Sequence, residues 1–135
     1  MILDTDILSA LSDPQCPERV IKALARASEP VFTTAVNWAE VCYGLARRPG
    51  RQSQQLRERY EELIVSSLAI IDFDRESAEA YAELRAELER RGQRLAEGDL
   101  MVASIALRHD MTLVSGNTRH LARIPGLKLE SWLEG

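Results

Sequence analysis

Short apolar runs separated by longer helical segments constrain this chain more than any other feature of it. Met1-Ile2-Leu3, Val31-Phe32-Thr33, Leu68 to Ile71 and Thr112-Leu113-Val114 read as strands. Between them, helical spacing runs from Arg19 to Ala27, Ala35 to Ala46, Gln52 to Ser66, Asp74 to Arg91 and Leu100 to Leu107. The stretch between the first strand and Arg19, broken by Pro14 and Pro17, reads as variable. Thr34 can cap the second helix, whose apolar positions nearly encircle it, so that helix is expected to be largely buried. Gly92 stops the Asp74 helix, and Gly98-Asp99 opens the last long one. Strands alternating with helices imply a parallel sheet covered on both faces, closed by Leu127-Lys128-Leu129. The expected fold is α/β: a three-layer α/β/α sandwich around a central, mainly parallel sheet.

No internal repeat or Gly/Ser linker divides the chain, and the turn-rich Arg47 to Arg51 stretch is too short to separate domains. A single domain over residues 1–135 is expected, large enough to bury about two-thirds of its unfolded surface. No apolar run approaches a membrane span and no signal-peptide pattern opens the chain, while Cys16 and Cys42 lack zinc or redox spacing. Those features point to the cytoplasm. A net charge of −4 argues against bulk-charge coating of nucleic acid but leaves room for a local basic patch. Only Lys22 and Lys128 are lysines among the 17 basic residues. The clusters Arg47-Arg48-Arg51 and Arg90-Arg91-Arg94 read as solvated helix ends, with nucleic-acid contact as the second reading.

Functional groups of an open parallel sheet gather at the carboxyl ends of its strands. Asp4 stands there after the first strand, within Met1-Ile2-Leu3-Asp4-Thr5-Asp6. Glu40 interrupts an apolar helix, and Asp99 lies in the first turn of another. Three acids on buried elements would repel one another unless they share protons or hold a cation, and an oxygen-only set selects Mg²⁺ or Mn²⁺. Each acid also has a plainer reading. Asp99 can be a cap or dipole partner, and Asp4 and Asp6 can start a turn and cap a helix. Glu40, among Val36, Trp38, Ala39, Val41 and Cys42, is harder to bury without a partner. His109 and His120 lack paired zinc spacing.

Taken together, Leu3-Asp4-Thr5-Asp6-Ile7-Leu8, the Asn37 to Leu45 stretch NWAEVCYGL, the Gly98 to Ala106 stretch GDLMVASIA and the Leu113 to Leu121 stretch LVSGNTRHL resemble the PIN-domain ribonucleases, VapC-like toxins of toxin–antitoxin pairs in particular. The resemblance implies that Asp4, Glu40 and Asp99 bind Mg²⁺ or Mn²⁺ and are catalytic, with Asp6 a secondary contact at most. It implies an endoribonuclease that hydrolyses RNA phosphodiester bonds through a metal-activated water, a homodimer, and a small antitoxin that fills the acidic cleft. The family often supplies a fourth acid after the last strand, where this chain has Ser115-Gly116-Asn117 and then His120. Ser115 retains a hydroxyl and Asn117 can offer an oxygen or orient a water, so that both are secondary candidates with His120, and Mn²⁺ would be favoured over Mg²⁺ if His120 reached the cleft. Two alternatives stay open. One is a catalytically weak, nuclease-like module that binds RNA or protein. The other is an aspartate-dependent phosphatase starting at Asp4-Thr5-Asp6, against which stand Leu8 at the fifth position and the scarcity of lysines.

Overall fold

The structure, a computed structural model, describes residues 1–133. Five strands, β1 (Ile2–Leu3), β2 (Phe32–Thr34), β3 (Ala69–Ile71), β4 (Leu113–Val114) and β5 (Leu129–Glu130), form one sheet in the order β3-β2-β1-β4-β5. Every pairing is parallel, with Ile2 opposite both Phe32 and Leu113, and Leu3 opposite Val114. Seven helices connect them: α1 (Thr5–Ser12), α2 (Glu18–Arg26), α3 (Ala35–Ala46), α4 (Arg51–Ser67), α5 (Arg75–Arg90), α6 (Glu97–Arg108) and α7 (Thr118–Leu121).

Strand alternation divides the core in two. Ile2 and Leu113 face α5, α6 and α7, packing with Leu84, Leu88, Val102, Ile105 and Leu121. Their neighbours Leu3 and Val114 face the opposite way, onto Ile7, Leu8, Val20, Val41 and Tyr60 from the first four helices. The parallel three-layer sandwich expected from the sequence is therefore the observed fold. Chain direction across the sheet reverses beside β1, whose neighbours are β2 on one side and β4 on the other. A crevice opens at such a reversal, where the loops leave in opposite directions.

Several boundaries differ from those the sequence implies. Residues 5–12, expected to be irregular, form α1, which starts immediately after β1 with Asp4 as its N-cap. Eight residues make a marginal helix in isolation; here Ile7 and Leu8 are buried against the sheet and the Asp4 side chain accepts a hydrogen bond from Thr5 N. Helix α6 begins a turn earlier than expected, so Gly98 and Asp99 lie inside it, and Ala96 occupies the cap position without a side-chain hydrogen bond. The last strand lies two residues later, fixed by pairing of Leu113 with Leu129. Helix α3 is not largely buried. It packs through Asn37, Val41 and Leu45, while Ala39, Glu40, Tyr43 and Ala46 are exposed.

Candidate active site

Asp4 leaves β1 at the reversal point and is 8% exposed. Its Oδ1 accepts from Thr5 N at 2.9 Å and from Asn37 Nδ2 at 2.7 Å, and its Oδ2 accepts from Ser115 Oγ at 2.8 Å. A carboxylate has about four lone-pair sites. Three are filled by these donors, so Asp4 is held rigid with one direction left for a ligand. The capping reading of Asp4 is thus correct, and it coexists with a position at the centre of the acid group.

Asn37, with its partner Thr5, is a residue that sequence reasoning missed. It is fully buried on α3; its amide donates to Asp4 and, at 3.0 Å, to Thr5 Oγ1, while its own Oδ1 accepts from Thr34 Oγ1 at 2.7 Å. The available signal was an amide in an apolar helix three residues before Glu40, on the same face. A buried amide demands partners. Thr34 also caps α3 as expected, accepting from Asn37 N.

Glu40 reaches the group from the same helix, its Oε2 accepting from Thr5 Oγ1 at 3.1 Å. The expectation of a buried Glu40 is corrected: the residue is exposed, because its face of α3 is open to solvent. Its carboxyl end nevertheless leans on the first turn of α6, where a Cβ at Gly98 would lie 3.2 Å from Oε1. Asp99, next along α6, caps nothing; its Oδ2 accepts from Asn117 Nδ2 at 3.1 Å. Ser115, fully buried, also accepts from Asn117 N, and His120 Nδ1 contacts Asn117 Oδ1 at 2.8 Å. His120 itself is exposed and stands behind Asn117. Asp6 turns toward the loop after β4, its oxygens taking Ile7 N at 3.0 Å and Gly116 N at 2.7 Å. A Cβ at Gly116 would collide with Asp6 Oδ2, so this clamp requires glycine.

Electrostatics records the crowding. Although the residue is exposed as a whole, partial desolvation of its carboxyl end raises Glu40 above its ordinary pKa, and the charges of Asp4, Asp99 and Asp6 raise it further against the Thr5 hydrogen bond. Burial and then Asp4 raise Asp99, opposed by Asn117 and His120. Asp6 is raised by burial and by Asp4, against the lowering effect of the Gly116 and Ile7 amides. Among the described residues, no Lys or Arg forms an ion pair with any of the four acids. Nor are three His, Cys, Asp or Glu side chains drawn into a closed metal-holding group among those residues. The acids stand apart on their separate hydrogen bonds, near enough to raise one another. In donor chemistry, oxygen only and without a Lys or Arg partner, the set matches what a hard divalent cation takes, although the described side chains are not drawn together closely enough to hold one.

The raised acids set a pH signature for the cation-free protein. Glu40, Asp99 and Asp6 keep protons to higher pH folded than unfolded, so stability should fall as pH rises from the ordinary carboxylate range through their raised values, with the full cost present above them. Asp74 and Glu87, lowered by hydrogen bonds from Ser77 and Arg90, act with opposite sign in the lower window. Urea titrations with chelator from about pH 4 to 7 should show the decline, and Asp99→Asn should lessen it; a profile unchanged by that substitution would remove Asp99 from the coupled group. A second test uses Gly98→Ala. Alanine favours a helix over glycine by up to about 1 kcal/mol, yet its methyl must push Glu40, and misplacement of a reacting group by tenths of an ångström costs activity. Stability should hold or rise while the RNA cleavage that the family resemblance implies falls several-fold; equal activity would mean Glu40 is not at the reacting centre.

Neither lysine supports the phosphatase reading. Lys22 pairs with Glu18 at 3.2 Å, and Lys128 with Asp110 at 3.0 Å.

A parallel sandwich with acids gathered at its strand reversal is the architecture of a family whose description is PIN domain, and the sequence profile of that family matches residues 1–127. The chain belongs to the PIN-domain family. Within it, the chain is similar to several proteins named as VapC ribonucleases and to one named as a toxin. It is 32% identical to Ribonuclease VapC2 of Rickettsia felis, over 97% of this chain and 96% of that protein, and 32% identical to Toxin FitB of Neisseria gonorrhoeae, over 87% and 88%. The crystal structure of VapBC2 from Rickettsia felis bound to a DNA fragment from their promoter superposes with a TM-score of 0.88 at 30% identity, covering 97% of each chain.

Proposed function

We propose that this chain is a divalent-metal-dependent endoribonuclease, the toxin of a toxin–antitoxin pair, with Asp4, Glu40 and Asp99 holding the cation. The observation that carries the reading is that three acids from β1, α3 and α6 stand near enough for Asp4 to raise both Glu40 and Asp99, with no Lys or Arg ion-paired to any of them among the described residues. Bound there, Mg²⁺ or Mn²⁺ supplies Lewis acidity toward the phosphate and acidity to water. The protein's own part is positioning. Asn37, Thr5 N and Ser115 fix Asp4; Thr5 Oγ1 aims Glu40; Asn117 aims Asp99. Asn117 takes the place of a fourth acid and lowers the negative charge of the site, so a second cation should bind weakly. With water as nucleophile, the products carry 5′-phosphate and 3′-hydroxyl ends.

The names of the relatives, a ribonuclease and a toxin, and a complex solved as VapBC2 support this reading; a small antitoxin partner, a homodimer and a cytoplasmic site of action belong to the same proposal. No helix among the described residues is long and apolar enough to cross a membrane.

Purified protein should cleave RNA with Mg²⁺ or Mn²⁺ and stop when chelator is added, and its expression alone should slow bacterial growth until the neighbouring small gene is co-expressed. RNA binding without cleavage under any divalent cation would favour the nuclease-like binding module instead.

A further inference from the structure

Beside the acids, a groove of about 730 Å³ runs between α1, α3 and the start of α4, from Thr5 and Glu40 past Gly44 to Arg47, Arg48 and Arg51. We propose that a single RNA strand continuing from the cleavage site lies in this groove, its phosphates on those three arginines and a base stacked against Tyr43, which lies outside the groove's lining but carries the groove residue Arg47 on its ring. The proposal rests on the ribonuclease reading and adds to it the residues that hold the substrate beyond the cut.

Charge carries the argument. Elsewhere Arg57, Arg75, Arg85, Arg90, Arg91 and Arg108 pair with neighbouring acids, and the other arginines without an ion pair among the described residues are single or paired in sequence, whereas Arg47, Arg48 and Arg51 put three within five residues on one groove. Among the described residues, Arg47, Arg48 and Arg51 have no carboxylate partner, although the chain carries a net charge of −4. Three uncompensated guanidiniums at one groove end call for an anion with several charges in a row.

The corner that presents them is built. Gly50, with φ of 141°, makes the turn from α3 into α4, and Ser53 Oγ ties the start of α4 to Leu45 O at 2.9 Å. Glu40 and Gly44 lie one turn apart on α3, and the arginines begin about 10 Å along the axis from Glu40. Gly44 costs helix stability for no packing reason, since a Cβ there would meet nothing within 4 Å. Its missing side chain leaves the groove floor open between acid and arginine. Tyr43 distinguishes RNA from an acidic peptide. It is 65% exposed with the Arg47 guanidinium 5.0 Å from its ring centroid, a flat π surface backed by charge of the kind on which bases stack.

The test measures binding of a labelled single-stranded RNA oligonucleotide to the full chain, with chelator present, over a series of salt concentrations. The variant Arg47→Gln/Arg48→Gln/Arg51→Gln should bind at least tenfold more weakly, with a log Kd against log salt slope shallower by about two, since each phosphate contact on a single strand contributes about 0.7. A control with the same charge change on paired residues, Arg75→Gln/Arg85→Gln/Arg90→Gln, should match the unsubstituted chain. Tyr43→Ala should weaken binding fivefold or more while leaving the slope alone. Equal losses in the two triple variants would reduce the effect to net charge and overturn the proposal. So would a groove variant that keeps its RNA affinity but loses its complex with the product of the neighbouring gene, which would give the groove to a protein. Cleavage by the unsubstituted chain, measured in parallel with Mg²⁺, reports on the ribonuclease reading separately, because its absence leaves the binding comparison intact.

Discussion

Asp4→Asn should abolish RNA cleavage and leave the protein folded. The amide oxygen can continue to accept from Thr5 N and Asn37 Nδ2, and its NH₂ then faces Ser115 Oγ, which rotates from donor to acceptor. The substitution also removes one of the like charges that raise Glu40, Asp99 and Asp6, so the stability change should stay within about 1 kcal/mol. What disappears is the charge at the one lone-pair direction left open toward a cation. Loss of partners behind a metal ligand already costs about 10–100-fold, and loss of the ligand's own charge should exceed that. Cleavage measured over a full Mg²⁺ and Mn²⁺ titration, beside a urea denaturation curve, separates the two effects. Cleavage within a few-fold of the original, from a protein with an unchanged denaturation midpoint, would sink the site assignment.

The second large effect is expected at Asn37, which touches no substrate. Asn37→Ala strips the donor from Asp4 Oδ1 and Thr5 Oγ1 and the acceptor from Thr34 Oγ1 in a place water does not reach. Buried polar groups left without partners cost about 1–3 kcal/mol each; with partial relaxation, a loss of about 2–4 kcal/mol is expected. Asp4 and Thr5 also lose their orientation, and Glu40 hangs on Thr5, so the cation concentration needed for half-maximal cleavage should rise. Asn37→Asp keeps the shape but sets a carboxylate 2.7 Å from Asp4, and it should not rescue either property. If Asn37→Ala unfolds at the original denaturant concentration, the network is not structural. If it is destabilised but keeps its metal response, Asn37 supports the fold without tuning the site.

The three candidate ligands and the parallel sheet were legible in the sequence for the same reason. Acids at the ends of apolar elements are energetically conspicuous, whereas the groups that restrain them are ordinary polar residues whose partners are distant in the chain. Asp4, Glu40 and Asp99 stood out against Leu3, Val41 and Leu100. Asn37 and Thr5 did not, because an amide and a hydroxyl acquire meaning only when β1 and α3 meet; Ser115, already a secondary candidate, shows its role as donor to Asp4 only once β4 is in place. Helix α1 was hidden by the prolines that follow it, although Asp4 was already identified as a possible cap. The exposure of Glu40 was missed for a different reason: a helix apolar all round implies burial, but α3 lies at a groove and leaves one face of Ala39, Glu40 and Tyr43 to solvent.

The hydrogen bond from Ser115 to Asp4 joins residues 111 positions apart, and that from Gly116 to Asp6 spans 110. Strand β1 is made first and sits between β2 and β4, yet its carboxylate is locked only when β4 arrives, nearly at the end of the chain. Loop closure over such a separation is slow and comes late in folding. During synthesis the ribosome must release most of the polypeptide before these acids can be set against one another. On the ribonuclease reading, a product cut short before residue 115 lacks the hydrogen bonds that Ser115 and Gly116 give Asp4 and Asp6, and its acids are never held in the arrangement proposed to cut RNA.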